Sequence, residues 1–147
     1  MVLVSACLWG ENTRYDGQSR PSATLRTCLA GHKVLPLCPE VLGGLAVPRP
    51  PARFVNARPG QEGRDLLAGR ARLLSGDNID VSQAFILGAR KVVELALRND
   101  IKKAFLKDRS PSCACDLQGL NPKAGIKLGV LSALLIDNGI EVEEIRA

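Results

Sequence analysis

The feature that most constrains this chain is an alternation. Short apolar runs of strand length are separated by stretches whose apolar residues recur every three to four positions. Four segments read as buried strands: Met1 to Ala6, Lys33 to Leu37, Lys103 to Lys107 and Glu141 to Arg146. Between them lie helical patterns. Ser19 to Ala30 reads as a helix with Pro21 in its first turn, where proline costs nothing. Val81 to Arg98 carries Val81, Phe85, Val92 and Leu95 on one face, and Asp80 with Gln83 forms a capping-box pattern at its start. Leu128 to Asp137 ends at Asn138-Gly139, in the manner of a C-cap. Strands alternating with helices predict a single-domain α/β fold, a Rossmann-like open sheet of about four mainly parallel strands flanked by helices. The length of 147 residues suits one such core.

Residues 41–78 interrupt the alternation. They are rich in Pro, Gly and Arg and read as a long excursion, with a short helix at Glu62 to Ala68 and a short strand at Arg70 to Leu74.

Charge and composition narrow the function classes. The net charge is +5, and all of the excess lies in residues 1–75, with ten Lys/Arg against five Asp/Glu. That region is either a solvated basic face or an anion site, since guanidinium suits anions. Aromatic residues make up only 3% of the chain, so no stacking platform is interleaved with the basic residues, which argues against a nucleic-acid face. The N-terminal apolar run lacks the charged leader of a signal peptide, and acidic and turn residues follow it directly. The longest later apolar run, Leu128 to Ile136, is far short of the roughly 20 residues that cross a membrane. The chain reads as a cytoplasmic protein, and its five cysteines as thiols or ligands rather than disulfides.

The position of those cysteines matters. In an open parallel sheet, ligands bind beyond the carboxyl ends of the strands. Cys7 ends the first predicted strand, Cys38 ends the second, and Cys113 follows the third within Ser110-Pro111-Ser112-Cys113. Any one of them could be a small buried core residue. Three at strand ends could also converge on one site, and three thiolates suit zinc or an iron–sulfur cluster. Cys28 falls inside a predicted helix and reads as packing. Cys115 is open between a fourth ligand, a redox partner and a bystander. The single histidine, His32, precedes a strand and reads as a loop residue, which excludes a two-histidine metal site. No Gly-rich nucleotide fingerprint or phosphate loop is present.

Several blocks, in order, resemble one bacterial family. They are Ser5-Ala6-Cys7-Leu8, Arg14-Tyr15-Asp16-Gly17, Cys38-Pro39-Glu40-Val41-Leu42-Gly43-Gly44-Leu45, Pro48-Arg49-Pro50-Pro51, and Leu106-Lys107 with Ser110-Pro111-Ser112-Cys113. Gly88-Ala89 in the long helix also looks like it. The family is that of thiouracil desulfidase, long known as a domain of unknown function. The resemblance implies a [4Fe-4S] cluster on Cys7, Cys38 and Cys113, whose open iron takes the sulfur of a thiolated pyrimidine such as 2-thiouracil. Uracil and sulfide would be the products.

Carried onto this chain, the family's acidic catalytic residue falls on Glu40 and its serine on Ser110, with Ser112 as neighbour. Arg14 and Asp16 would lie in a loop beside the substrate, with Arg14 facing an anion or pairing with Asp16. Asp16 is the reserve for Glu40. Gly43 and Gly44 would let backbone approach the substrate. A purely structural Glu40 would instead cap the loop or pair with Arg49. The chain departs from the family at Ala114-Cys115, where a glycine is usual after the third cysteine, and at Trp9. The competing expectation is a non-enzymatic zinc- or cluster-binding protein, redox-sensing in the second case. The oligomeric state is left open, and the expected partner is a small-molecule thiolated nucleobase.

Overall fold

The computed structural model describes all 147 residues. Its main sheet has four strands: β1 (Val2–Ser5), β2 (Val34–Leu37), β5 (Lys103–Lys107) and β6 (Glu141–Ile145). They lie in the order β2-β1-β5-β6 and every neighbouring pair is parallel. The expected α/β class and all four strands are found, with ends shifted by at most a residue.

The strand pleat divides the core between two faces. Leu3 points into the larger cluster with Ala104 and Leu106, where α4 (Ser82–Arg98) and α5 (Val130–Asp137) cover the sheet with Phe85, Ala89, Val92, Leu131 and Leu135. Val4, one residue on, points to the opposite face. There it meets Leu8, Leu25 and Leu29 under α1 (Ala23–Cys28). With both faces covered, β1 is apolar on both of its faces, as a central parallel strand is, while the edge strand β6 keeps exposed glutamates.

Helix ends differ from the expectation for local reasons. Helix α1 begins at Ala23 and not Ser19, because the Ser22 hydroxyl accepts from Leu25 N at 3.1 Å and sets the N-cap after Pro21. Cys28 is its last residue and is exposed, so it does not pack in the core. At α4 the capping box is not formed. Asp80 instead accepts from Ser82 N at 2.9 Å, and the Ser82 hydroxyl accepts from Leu73 N at 2.8 Å.

The excursion holds more structure than the sequence shows. One helical turn, α2 (Pro39–Leu42), follows Cys38. Strand β3 (Ala52–Val55), not foreseen, pairs antiparallel with β4 (Arg72–Ser75) as a separate two-stranded sheet. Helix α3 (Glu62–Leu67) lies between them. Its buried Asp65 clamps the excursion, accepting from Arg58 Nη2 at 2.6 Å, Arg58 N at 2.9 Å and Arg70 Nε at 3.2 Å.

Two close backbone approaches position the loops beyond the strands. A Cβ on Gly88 would stand 1.8 Å from Pro39 O, and one on Gly43 would stand 2.1 Å from Ala84 O, so α2 and α4 touch backbone to backbone. A Cβ on Gly129 would stand 2.4 Å from Ser112 O. No helix is long and apolar enough to cross a membrane.

Candidate active site

Strand β1 has β2 on one side and β5 on the other, so the crossovers leave it in opposite directions. A crevice is expected beyond its carboxyl end. A cavity of about 390 Å³ opens there, and Cys7, Cys38 and Cys113 all line it.

Each thiol arrives by a different local device. After Ser5 the chain tightens into a 3-10 helix, Ala6–Trp9, which holds Cys7 under the edge; Gly10 then turns away with φ of 100°. That left-handed turn favours glycine. Cys38 is the extended N-cap residue of α2, with Pro39 at the first helical position. Cys113 sits in a turn knotted by Ser110, whose hydroxyl oxygen accepts from both Ser112 N and Cys113 N at 3.1 Å. The Ser132 hydroxyl donates to Cys113 O at 2.9 Å and fixes the turn to α5.

The electrostatics of the thiols are those of a crowded soft-ligand site. Burial pushes the Cys7 thiol up to about 11, and Cys38 adds to the rise; Lys107 and Arg14 pull the other way. Cys38 is raised by burial and by Glu40, against the opposing effect of Arg49. Cys113 is raised most strongly by burial, then by Cys38, Glu40 and Cys7, while the Ser5 hydroxyl, donating to its sulfur at 3.5 Å, lowers it. Three thiolates would repel one another here unless a cationic centre offsets their charge. All five cysteines are free.

Glu40 stands beside them with both oxygens engaged. Oε1 accepts from Arg49 Nε at 3.1 Å and lies 3.1 Å from Nη2 in an ion pair. Oε2 faces the hydroxyls of Ser112 at 3.2 Å and Ser110 at 3.5 Å. Ser112 is fully buried and is reached through Glu40 rather than from the cavity.

The remaining expected residues divide. Arg14 lines the cavity and also pairs with Asp16 at 3.4 Å. Asp16 itself is not part of the lining and accepts from Gln18 N at 3.0 Å. Gly43 and Gly44 are a correction: neither lines the cavity. Gly43 lacks a side chain because α4 lies against it, and Gly44 closes the turn after α2 with φ of 93°. Cys115 lines a separate depression with Glu143 and Glu144, away from the three thiols. His32 is an exposed loop residue.

Sequence reasoning missed Thr13 and Lys107, and gave Arg49 no role of its own. All three line the cavity. Lys107 ends β5 with its ammonium buried, paired with Asp108 Oδ1 at 2.6 Å. Buried cations need such pairing. A lysine at the carboxyl end of a strand, where ligands bind, was the one signal available for it. Thr13 Oγ1 is the only buried side-chain nitrogen or oxygen without a hydrogen-bond partner.

The donor set fits an iron–sulfur cluster. The thiols are soft, free and convergent, cations stand beside them, and a polar atom at the cavity wall is left unpaired. No three His, Cys, Asp or Glu side chains stand close enough to hold one metal ion, so the zinc alternative gains no support. A cluster spreads its thiolates over several iron atoms.

Fold and site together define an open parallel α/β protein with a thiol-lined crevice at its switch point. The chain belongs to the 2-thiouracil desulfurase family, which it matches over residues 2–145. It is 34% identical over 145 residues to the uncharacterized protein YbbK of Bacillus subtilis (strain 168), covering 97% of this chain and 93% of YbbK. Among solved structures it resembles the [4Fe-4S]-dependent thiouracil desulfidase TudS, with a TM-score of 0.75 and 35% identity, covering 97% of this chain and 89% of TudS.

Proposed function

We propose that this protein is an enzyme that removes sulfur from a thiolated pyrimidine, with 2-thiouracil as the model substrate, using a [4Fe-4S] cluster held by Cys7, Cys38 and Cys113. The observation that carries the reading is the convergence of three free thiols, two buried and one half-buried, and the Glu40 carboxylate on one cavity. Family membership and the likeness to TudS support it. When bound, the cluster supplies a soft Lewis-acidic iron for the thiocarbonyl sulfur.

The reaction exchanges C=S for C=O without redox change: thiouracil and water give uracil and hydrogen sulfide. Water must lose protons as its oxygen bonds to carbon, and the departing sulfur must gain them. In this reading Glu40 takes a proton from water and passes it on. Ser110 and Ser112 hold its Oε2 edge toward the turn that carries Cys113. Lys107 and Arg14 put positive charge beside Cys7, which favours the thiolate form of the ligand set. The cavity wall excludes bulk water from one side of the substrate, which strengthens each of these interactions.

The test is anaerobic reconstitution with iron and sulfide, followed by incubation with 2-thiouracil and measurement of uracil and sulfide. A brown protein that turns over the parent substrate, and a Glu40→Gln variant that keeps its iron but loses about a hundredfold or more of the rate, are expected. Reconstituted protein with full iron and no uracil formed, from 2-thiouracil or 4-thiouracil, would overturn the reading. Full activity in Glu40→Gln would move the proton-transfer role to Asp16.

A further inference from the structure

Arg49 makes more contacts than its pairing with Glu40 needs. Its side chain is 7% exposed. Nε and Nη2 both meet Glu40 Oε1, Nη2 also donates to Thr13 O at 2.9 Å, and Nη1 donates to Ala46 O at 3.1 Å. Its backbone N donates to Tyr15 O at 2.8 Å. One side chain thus ties together the loop that follows Cys7, the helix that follows Cys38, and the excursion. Prolines at 48 and 50 flank it, and a residue before proline is confined to extended backbone, so the guanidinium is delivered on a stiff stem.

The consequence falls on Glu40. A carboxylate on a free glutamate can present either oxygen in several rotamers. Here Oε1 is consumed by the fork of Arg49, and Oε2 is the oxygen left toward the two serine hydroxyls and the turn of Cys113. We infer that Arg49 is a positioning residue that fixes the Glu40 carboxylate in one orientation, with Oε1 on the guanidinium and Oε2 on the Ser110 and Ser112 hydroxyls, and that the planar fork, not merely the positive charge, is what does so. A lysine ammonium is a point donor on a flexible stem and cannot meet Oε1, Thr13 O and Ala46 O together. The inference rests on the desulfidase reading, in which Glu40 moves the proton.

The experiment compares Arg49→Lys, Arg49→Ala, Glu40→Gln and the Arg49→Ala/Glu40→Gln pair, each reconstituted anaerobically, with iron content, KM and kcat for 2-thiouracil measured. Arg49→Lys and Arg49→Ala are expected to keep their iron and a KM within about threefold, and to lose kcat by ~10- to 100-fold, the cost of a carboxylate misplaced by about an ångström. Added guanidinium should restore part of the rate in Arg49→Ala and none in Glu40→Gln. The pair should be no slower than Glu40→Gln alone, because both changes act through one carboxylate.

A full rate in Arg49→Lys, with Glu40→Gln still inactive, overturns the positioning role while leaving the desulfidase reading intact. Loss of iron from both Arg49 variants makes the residue structural and also overturns the inference. A fully active Glu40→Gln overturns the inference by taking Glu40 out of the proton transfer, whereas the desulfidase reading itself falls only if the reconstituted parent forms no uracil.

Discussion

The contact between α2 and α4 makes a prediction whose sign can be worked out. Gly88 lies in the middle of α4, where replacing glycine by alanine would by itself stabilise a helix by up to about 1 kcal/mol. The structure opposes this. A Cβ at Gly88 would stand 1.8 Å from Pro39 O, 2.7 Å from Pro39 C and 3.0 Å from Gly43 N, all backbone atoms that no rotamer change can move. Overpacking of this kind costs about 1–3 kcal/mol, and more where backbone must shift. The net expectation for Gly88→Ala is a loss of about 1–2 kcal/mol or more, a fall in Tm of roughly 2–8 °C for a chain of this size. Relief requires α2 to move off α4. Because α2 is a single turn that is N-capped by Cys38 and contains Glu40, the displacement passes directly to the site. Calorimetry of the apoprotein, iron per chain after reconstitution and turnover of 2-thiouracil should therefore all fall together. Gly125, where an added Cβ meets nothing within 4 Å, supplies the control, with a change within about 0.5 kcal/mol. A Gly88→Ala protein as stable as the parent, with unchanged iron and rate, would refute the reasoning.

Other changes separate the roles of individual residues. Cys7→Ser, Cys38→Ser and Cys113→Ser should each abolish iron binding, since a hydroxyl is a poor soft-metal ligand; iron retained in any one removes that cysteine from the site. Cys28→Ser and Cys115→Ala should bind iron normally, because the first is exposed on α1 and the second lines a different depression; loss of iron in Cys115→Ala would point to a four-thiolate site and against the enzyme. In the apoprotein at pH 7.5 or so, iodoacetamide should label Cys28 first and Cys113 last, as burial dictates; fast labelling of Cys113 would contradict the packing of its turn. Asp65 is held well below the usual carboxylate range, chiefly by hydrogen bonds from Arg58 and then from Arg70. A depressed folded value means its stabilisation is complete above the unfolded value of about 3.9 and is lost as pH falls below it. Asp65→Asn should thus lower Tm at pH 7, with the gap to the parent narrowing below about pH 4; a gap independent of pH would exclude the ion pairs as its source.

Which parts of this were legible in the sequence follows from the range of the interactions involved. Strands β1, β2 and β5 were legible because apolar runs between helical patterns are local signals, β6 because a strand-length segment follows the last helix, and their parallel arrangement follows from the alternation itself. The meeting of three cysteines at one edge was legible for the same reason: parallel strands end on one side, so thiols far apart in sequence share an address. Strand β3 was not, because Ala52–Val55 holds an arginine amid prolines and its pairing with β4 spans twenty residues of excursion. Gly43 was misplaced because a glycine signals that something approaches closely but not what; here it is the backbone of Ala84. Arg49 carries the same lesson from the other side. Its type advertises an anion partner, and Glu40 could be named from charge alone, whereas Thr13 O and Ala46 O could not, since every residue has a carbonyl. The site is therefore assembled from three crossovers and one excursion, and no short segment contains two of Cys7, Cys38 and Cys113. Their convergence exists only when β1, β2 and β5 are paired. Any group bound there draws its affinity from the folded sheet, and by linkage stabilises that sheet against unfolding.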